Sequence, residues 1–148
     1  MAAAATKKIR ILMAEDSPSD AELARMAFSN GGFESELTIV EDGVEAMEYL
    51  RNVGKYADCA KPDLIILDLN MPRKDGKTVL SEIKADKELA KIPVVILTTS
   101  RDEQDIDDTY SMFASSYVAK PLDFDQFVDA TKSIKEFYFK VAKLPGRG

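Results

Sequence analysis

Asp68 stands where an apolar run, Leu64-Ile65-Ile66-Leu67, gives way to the loop Asn70-Met71-Pro72-Arg73-Lys74-Asp75-Gly76. A second apolar run, Ile9 to Ala14, ends in two further carboxylates, Glu15 and Asp16, and later runs end at Thr98 and at Lys120-Pro121. If these runs are parallel strands of one open α/β sheet, their carboxyl ends share an edge, and that edge is where such sheets bind ligands. Three acids, a hydroxyl and an ammonium then converge on one pocket. Crowded carboxylates repel unless a proton or a cation intervenes. A hard, oxygen-seeking ion such as Mg²⁺ relieves that repulsion while keeping several of its waters. A hydroxyl and an ammonium beside such a site suit the equatorial oxygens of a phosphoryl group, which need donors and positive charge.

Each residue taken alone has a plainer explanation. A lone acid after a strand caps a helix or is solvated, a threonine at a strand end bonds the backbone, and a lysine before a proline sits on the surface. The two sets of acids at the ends of separate strands are what favour a shared pocket. Thr99 and Ser100 read as loop and N-cap groups for the helix that follows. Pro121 biases Lys120 toward an extended backbone.

The elements that must position these groups follow from apolar spacing. Strand-like runs lie at about 9–14, 36–40, 63–67, 93–97 and 116–119, rich in Ile, Val and Leu, and several lack polar alternation. Runs apolar on both faces suit a buried parallel sheet. Helical spacing occupies 18–30, 43–53, 76–87, 102–114 and 123–143. Pro18 suits a first helical position, Gly31-Gly32 stops the first helix, and Asp123 is a natural N-cap for the last. The alternation predicts a (βα)₅ α/β fold, doubly wound, with right-handed crossovers placing helices on both faces of a five-stranded parallel sheet. Residues 53–62 form a loop longer than the usual two to six residues or so. In the last helix, Phe124, Phe127, Val128, Thr131, Ile134, Phe137, Tyr138, Val141 and Leu144 continue one stripe for roughly 20 residues, or about 30 Å.

Whole-chain properties narrow the function. The 148 residues fit one domain with a real core, and 45% apolar with 31% charged residues is ordinary for a globular protein. No apolar stretch approaches the ~18 residues that span a membrane, and Met1 to Lys8 lack the apolar core of a secretory signal. A net charge of −6 argues against nucleic acid as the direct partner. The single cysteine, Cys59, fits a reducing cytoplasm. The chain has no histidine, which removes Ser-His-Asp and Cys-His catalysis, His-containing zinc sites and a histidine phosphocarrier role.

The chain resembles the receiver domain of two-component response regulators. The resemblance rests on Glu15-Asp16, on Leu67-Asp68-Leu69-Asn70-Met71-Pro72 through Asp75-Gly76, on Pro93-Val94-Val95-Ile96-Leu97-Thr98, and on Tyr117-Val118-Ala119-Lys120-Pro121. Order and spacing both match, over about residues 8–140. The ending, Phe137-Tyr138 to Lys143-Leu144-Pro145, further resembles the small regulators paired with phytochrome-type histidine kinases.

The resemblance implies a flavodoxin-like strand order, 2-1-3-4-5, and a cytoplasmic signalling protein. Asp68 would accept a phosphoryl group from the phosphohistidine of a sensor kinase. Asp16 and Asp68 would supply carboxylate oxygens to Mg²⁺, or Mn²⁺ in its place, Glu15 would act through bound water, and Asn70 through its backbone carbonyl. Lys120 would pair with the phosphoryl group, Thr98 would donate a hydrogen bond to it, and Tyr117 would swing inward as Thr98 moves. Asn70 and Ser100 would flank the path of the hydrolytic water and so set the phosphoryl lifetime. Such a protein catalyses its own phosphotransfer and slow dephosphorylation without being a conventional enzyme. The expected organisation is a short lead at 1–7, one receiver domain at 8–144 with an extended last helix, and a tail at 145–148, with no output domain.

Charge distribution suggests a partner copy. Asp102, Glu103, Asp105, Asp107 and Asp108 form an acidic run, whereas the last helix and tail carry Lys132, Lys135, Lys140, Lys143 and Arg147. A twofold homodimer through the fourth helix, fifth strand and fifth helix would place Phe137, Tyr138, Phe139 and Val141 at its centre.

Three alternatives start from the same residues. A phosphatase of the haloacid dehalogenase type also uses an Asp after a strand, but it needs a second Asp two positions on as general acid, and Asn70 stands there. A receiver-like binding module without phosphorylation would not require the full residue set present here. A flavodoxin-like cofactor binder needs a hydroxyl-rich phosphate loop after the first strand, where Glu15-Asp16-Ser17-Pro18 would repel an anion.

Overall fold

Leu64-Ile65-Ile66-Leu67 is buried at every position, as is Val94 to Thr98, so these segments have no solvent face. Both lie inside a sheet covered on two sides. The computed structural model describes residues 9–29, 35–121 and 123–138. Its strands are β1 (Ile9–Ala14), β2 (Ser35–Val40), β3 (Leu64–Leu67), β4 (Val94–Thr98) and β5 (Ser116–Ala119). They pair in parallel in the order β2-β1-β3-β4-β5. The helices are α1 (Pro18–Ser29), α2 (Gly43–Leu50), α3 (Gly76–Ala85), α4 (Glu103–Ser111) and α5 (Phe124–Glu136). The doubly wound (βα)₅ fold expected from the apolar periodicity is the fold observed.

Alternation along β1 splits the core in two. Leu12 and Ala14 join one cluster with Leu50, Val79, Leu80 and Ile83 on the α2–α3 side of the sheet. Ile11 and Met13 join the other with Ala24, Phe28, Phe127 and Ile134 on the α1–α5 side. Successive side chains of a strand point to opposite faces, so one apolar run feeds both layers.

Among the described residues, aspartates start four of the five α-helices. Asp42, Asp75, Asp102 and Asp123 accept hydrogen bonds from the backbone N–H of Glu45, Thr78, Gln104 and Asp125. Each satisfies one of the donors that a helix start leaves unpaired. Pro18 opens α1, as its missing N–H favours.

Several boundaries differ from the spacing-based expectation. The second helix ends at Leu50 rather than 53, because Asn52 takes a left-handed φ of 57°. Its side-chain amide then donates to Tyr56 O at 3.1 Å and Cys59 O at 2.6 Å, and Lys61 Nζ donates to the carbonyl of Leu50 and to Asn52 Oδ1. The long loop at 53–62 is therefore a built structure with a 3-10 turn at Gly54–Tyr56. The third helix ends at Ala85, where Asp86 turns to accept from Glu88 N and Leu89 N. The fourth ends at Ser111, ahead of Phe113 at φ 68°.

In α5 the buried positions are Phe127, Thr131 and Ile134, and Tyr138 beyond its end joins them. Phe124 and Phe137, both placed on the same stripe by spacing, are half exposed. Gly31-Gly32, Phe139, Val141, Lys140, Lys143, Leu144 and Arg147 lie outside the described residues, as do the lead at 1–7 and the tail at 145–148. No helix among the described residues is long and apolar enough to cross a membrane.

Candidate functional site

Strand register brings the chemistry together. Ala14 is level with Leu67, Leu67 with Ile96, and Thr98 with Ala119. The next residue along β1, β3 and β5 is Glu15, Asp68 and Lys120, and Thr98 itself ends β4. Backbone bonds continue the ladder to those positions: Glu15 N to Val40 O at 2.9 Å, Asp68 N to Ala14 O at 3.2 Å and Lys120 N to Thr98 O at 2.7 Å. Four strand ends thus deliver their side chains to one edge of the sheet.

Lys120 is the hub. Its ammonium donates to Glu15 Oε1, to Asp68 Oδ2 at 3.0 Å and to Asp20 Oδ2 at 3.0 Å. Thr98 Oγ1 donates to the other Asp68 oxygen, Oδ1, at 2.8 Å, and Asn70 N donates to the same oxygen at 3.1 Å. Glu15, Asp68, Thr98 and Lys120 are all buried, whereas Asp16 is exposed at the mouth. Ser17 N donates to Glu15 Oε2 at 3.1 Å, which fixes the second oxygen of that carboxylate.

Burial pushes the Glu15 carboxyl up to about 7, against the hydrogen bond and charge of Lys120, which pull it down. Burial alone would lower the Lys120 ammonium, but the Glu15 hydrogen bond and the Asp68 and Glu15 charges outweigh it and hold the group above its ordinary value. Lys120 therefore stays charged, and Glu15 is the proton-sensitive member of the pair.

Carboxylate oxygens of Glu15, Asp16 and Asp68 all lie within 4.8 Å of one another. Glu15, Asp20 and Asp68 share the one Lys120 ammonium, and Asp16 adds a fourth carboxylate beside them, so the excess negative charge suits a divalent cation with oxygen preference. The donor set contains no thiolate or imidazole, which fits Mg²⁺ or Mn²⁺ better than a softer ion.

The loop after β3 is shaped by its neighbours. A Cβ on Gly76 would stand 2.2 Å from the Asp68 carbonyl oxygen, so only glycine lets α3 begin against the end of β3. Lys74 N donates to Pro72 O at 2.7 Å around Arg73, whose φ is 66°. This tight positive-φ γ-turn is a strained conformation. Arg73 is held in it by two hydrogen bonds to Asp42, the cap of α2. A Cβ on Gly43 would meet Lys74 O at 2.1 Å, so the two loops are in contact through backbone.

On the α4 side, Tyr117 packs against the α2–α3 core cluster, and its hydroxyl donates to Ser100 O at 2.9 Å. Ser100 N donates to Thr98 Oγ1 at 3.4 Å. Ser100 is not the N-cap of α4 that spacing suggests. Asp102 has that role, while Ser100 Oγ donates to Asp105 Oδ2 at 2.6 Å and accepts from Asp102 N at 3.3 Å.

Glu15, Asp16, Asp68, Asn70, Thr98 and Lys120 lie together, Ser100 is one hydrogen bond removed through Thr98, and Tyr117 is two removed through Ser100. Residue spacing did not single out Asp20, because an acid in the first turn of a helix reads as a favourable partner of the helix dipole. Nor did it pick Arg73–Asp42, which joins two loops 31 residues apart. Of the acidic run, Asp105 and Asp108 are engaged within the protomer by Lys77, at 2.5 and 3.0 Å. Tyr138, placed by spacing at a dimer centre, is buried at 7% exposure and bonded to Ser116 Oγ at 2.8 Å. It packs with Phe28, Val95 and Ile134, so the α1–α5 core already occupies it.

Comparison with known proteins agrees with this geometry. The response regulator receiver domain family matches residues 11–132. Response regulator Rcp1 of Synechocystis sp. is 38% identical over 135 residues, which cover 91% of this chain and 92% of Rcp1. The phosphorylated cyanobacterial phytochrome response regulator RcpA superposes with a TM-score of 0.92 at 43% identity, over 95% of this chain and 100% of that one. The Mn²⁺-bound form of Rcp1 gives 0.90 at 37% identity, over 93% of this chain and 99% of that one. Receiver domains are the phosphoryl acceptors of two-component systems, take Mg²⁺ or Mn²⁺ at an acidic pocket, and pair with histidine kinases. By match, fold and pocket alike, this chain belongs to the response regulator receiver domain family.

Proposed function

We propose that Asp68 is the phosphoacceptor of this receiver. A carboxylate oxygen of Asp68 attacks the phosphorus of a kinase phosphohistidine, the P–N bond breaks, and an acyl phosphate forms as the imidazole leaves with the bond electrons. The observation that carries this reading is the division of the Asp68 carboxylate: one oxygen faces the Lys120 ammonium and the other the Thr98 hydroxyl. Those donors are placed to follow the charge onto an attached phosphoryl group. Asp16 and Asp68 would hold the divalent ion through carboxylate oxygens, with Glu15 acting through water and Asn70 through its backbone carbonyl. Bound there, Mg²⁺ or Mn²⁺ would supply positive charge for the phosphoryl oxygens.

Tyr117 and Thr98 form the switch pair, coupled through the loop that Ser100 anchors. Asn70 and Ser100 set the phosphoryl lifetime from either side of the pocket. The likeness to Rcp1 and RcpA supports a phytochrome-type histidine kinase as partner, and the single cysteine fits a cytoplasmic setting. Support for a homodimer through α4, β5 and α5 comes from the exposed aromatics Tyr110, Phe113 and Phe137. Sedimentation of the protein truncated after Ile134 tests that assembly; an unchanged dimer would remove the tail from it.

The deciding experiment is intact mass after acetyl phosphate treatment, with and without Mg²⁺, on the wild type and Asp68→Asn. The expected result is a Mg²⁺-dependent gain of one phosphoryl group that the variant loses. A full gain in Asp68→Asn would assign the acceptor to another residue. No gain in either protein would favour a binding module that keeps the fold without the chemistry.

A further inference from the structure

Lys77 lies on α3, outside the phosphoryl site, yet it begins an unbroken chain of polar contacts that ends on Asp68. Its ammonium pairs with Asp105 Oδ1 at 2.5 Å and with Asp108 Oδ2 at 3.0 Å, both on α4. The other Asp105 oxygen accepts from Ser100 Oγ at 2.6 Å. The Ser100 carbonyl accepts from Tyr117, and its N–H reaches Thr98 Oγ1, which itself donates to Asp68 Oδ1 at 2.8 Å. Asp105 therefore touches the clamp with one oxygen and the switch loop with the other.

The space beside this chain makes the clamp consequential. A cavity of about 400 Å³ lies between the loop after β3 and α4, lined by Leu69, Asn70, Met71, Asp75, Lys77 and Asp105. Lys77 and Asp105 stand on its opposite walls and close it by an ion pair rather than by apolar packing. Packed apolar walls resist displacement because interiors are dense. A gap bridged by one ammonium has no such resistance once the ammonium is removed.

We propose that Lys77 is a positioning residue for the phosphoryl site: by holding Asp105 it fixes Ser100, and through Ser100 it biases Thr98 and Tyr117 toward the arrangement seen here. This rests on Asp68 being the acceptor. The arrangement favoured by the clamp, with Thr98 on Asp68 and Tyr117 packed against the core, is the one in which the Thr98 hydroxyl already lies beside the attacking carboxylate. The clamp then raises the fraction of molecules ready for transfer, a population effect that needs no contact between Lys77 and substrate. Side chains of the three clamp residues are 25–38% exposed, so the ion pairs add little to global stability and Lys77 variants should fold.

The test compares Lys77→Met, Lys77→Arg, Asp105→Asn and Asp108→Asn with the wild type. Each is followed for the rate of phosphoryl gain from acetyl phosphate with Mg²⁺, and for the ¹⁹F resonance of fluorotyrosine at position 117, assigned by its loss in Tyr117→Phe. Lys77→Met and Asp105→Asn should slow uptake about three- to tenfold and shift the Tyr117 resonance. Lys77→Arg should restore both. Asp108→Asn, which removes a clamp carboxylate that does not touch Ser100, should have the smaller effect. Wild-type rate and an unmoved Tyr117 signal in Lys77→Met would overturn the proposal, as would equal effects of Asp105→Asn and Asp108→Asn. If the wild type gains no phosphoryl, the Asp68 reading fails, and the Tyr117 resonance still decides whether Lys77 positions the loop.

Discussion

Arg73 grips Asp42 with two parallel hydrogen bonds, Nε to Oδ2 at 2.8 Å and Nη2 to Oδ1 at 3.1 Å. The same Asp42 accepts from Glu45 N at 2.8 Å as the cap of α2. One carboxylate therefore ends the loop after β2, starts a helix and steadies the strained turn that follows Asn70. Asn70, whose carbonyl is the expected ligand of the metal, stands two residues before that turn.

Removing the two partners should have different consequences. Asp42→Ala loses the cap and the grip together, and the cap alone costs about 1 kcal/mol. Arg73→Ala leaves the cap intact and should lower stability less, because an exposed ion pair adds little. Both variants should weaken Mg²⁺ binding by a similar factor, since both release the turn. Denaturant titration and calorimetric Mg²⁺ binding check this; an Arg73→Ala protein with wild-type Mg²⁺ affinity would remove the grip from metal-site organisation.

Glu15 gives stability a pH dependence of known sign. Its carboxyl is pushed from 4.5 to about 7 in the folded protein, so the fold binds a proton that the unfolded chain has released. The contribution is fully present below 4.5 and is lost as pH rises through about 7. Without divalent metal, the melting temperature should therefore fall across that window, and Glu15→Gln should flatten the decline. Mg²⁺ competes with the proton for the same cluster, so its stabilisation should be larger at about pH 8 than at about pH 5.5. A Mg²⁺ effect independent of pH would exclude Glu15 from the metal's surroundings.

Gly76→Ala should damage site and fold together. The added Cβ would lie 2.2 Å from the Asp68 carbonyl oxygen and 2.7 Å from Leu69 Cα, both backbone atoms that cannot rotate away. Overpacking of this kind costs about 1–3 kcal/mol. The acceptor carboxylate moves with its backbone, so phosphoryl uptake should fall even where the protein remains folded. Urea unfolding and mass-monitored uptake measure the two effects separately.

Phe137 and Tyr138 are adjacent but face different surroundings, at 51% and 7% exposure. Tyr138→Phe removes a hydrogen bond to Ser116 and should cost about 1 kcal/mol without altering assembly. Phe137→Ser should leave the melting temperature nearly unchanged and lower the sedimentation coefficient if α5 carries the dimer. Equal stability losses in both variants would contradict the division between them.

The strands and the site loops were legible in the sequence because their cause is local. Val94 to Leu97 and Leu64 to Leu67 lack polar alternation, which only a sheet covered on both faces accommodates. Asp68, Thr98 and Lys120 follow such runs directly, so parallel pairing was enough to bring them to one edge. Helix ends were less legible, since Asn52 and Phe113 stop their helices with left-handed backbones that apolar spacing does not report.

Only the tertiary structure decided which charges pair and which side of a long helix is buried. Lys120 meets Glu15, Asp20 and Asp68 across separations of 105, 100 and 52 residues. Lys77 takes Asp105 and Asp108 from the run that composition alone offered to a second protein copy. Tyr138 turns inward although the helical stripe is equally apolar at Phe137. Secondary structure is set by patterns a few residues long, and the amino-acid sequence determines it openly. The partner of a charge and the facing of a side chain depend on distances fixed after the crossovers close, and those distances exist only in the folded chain.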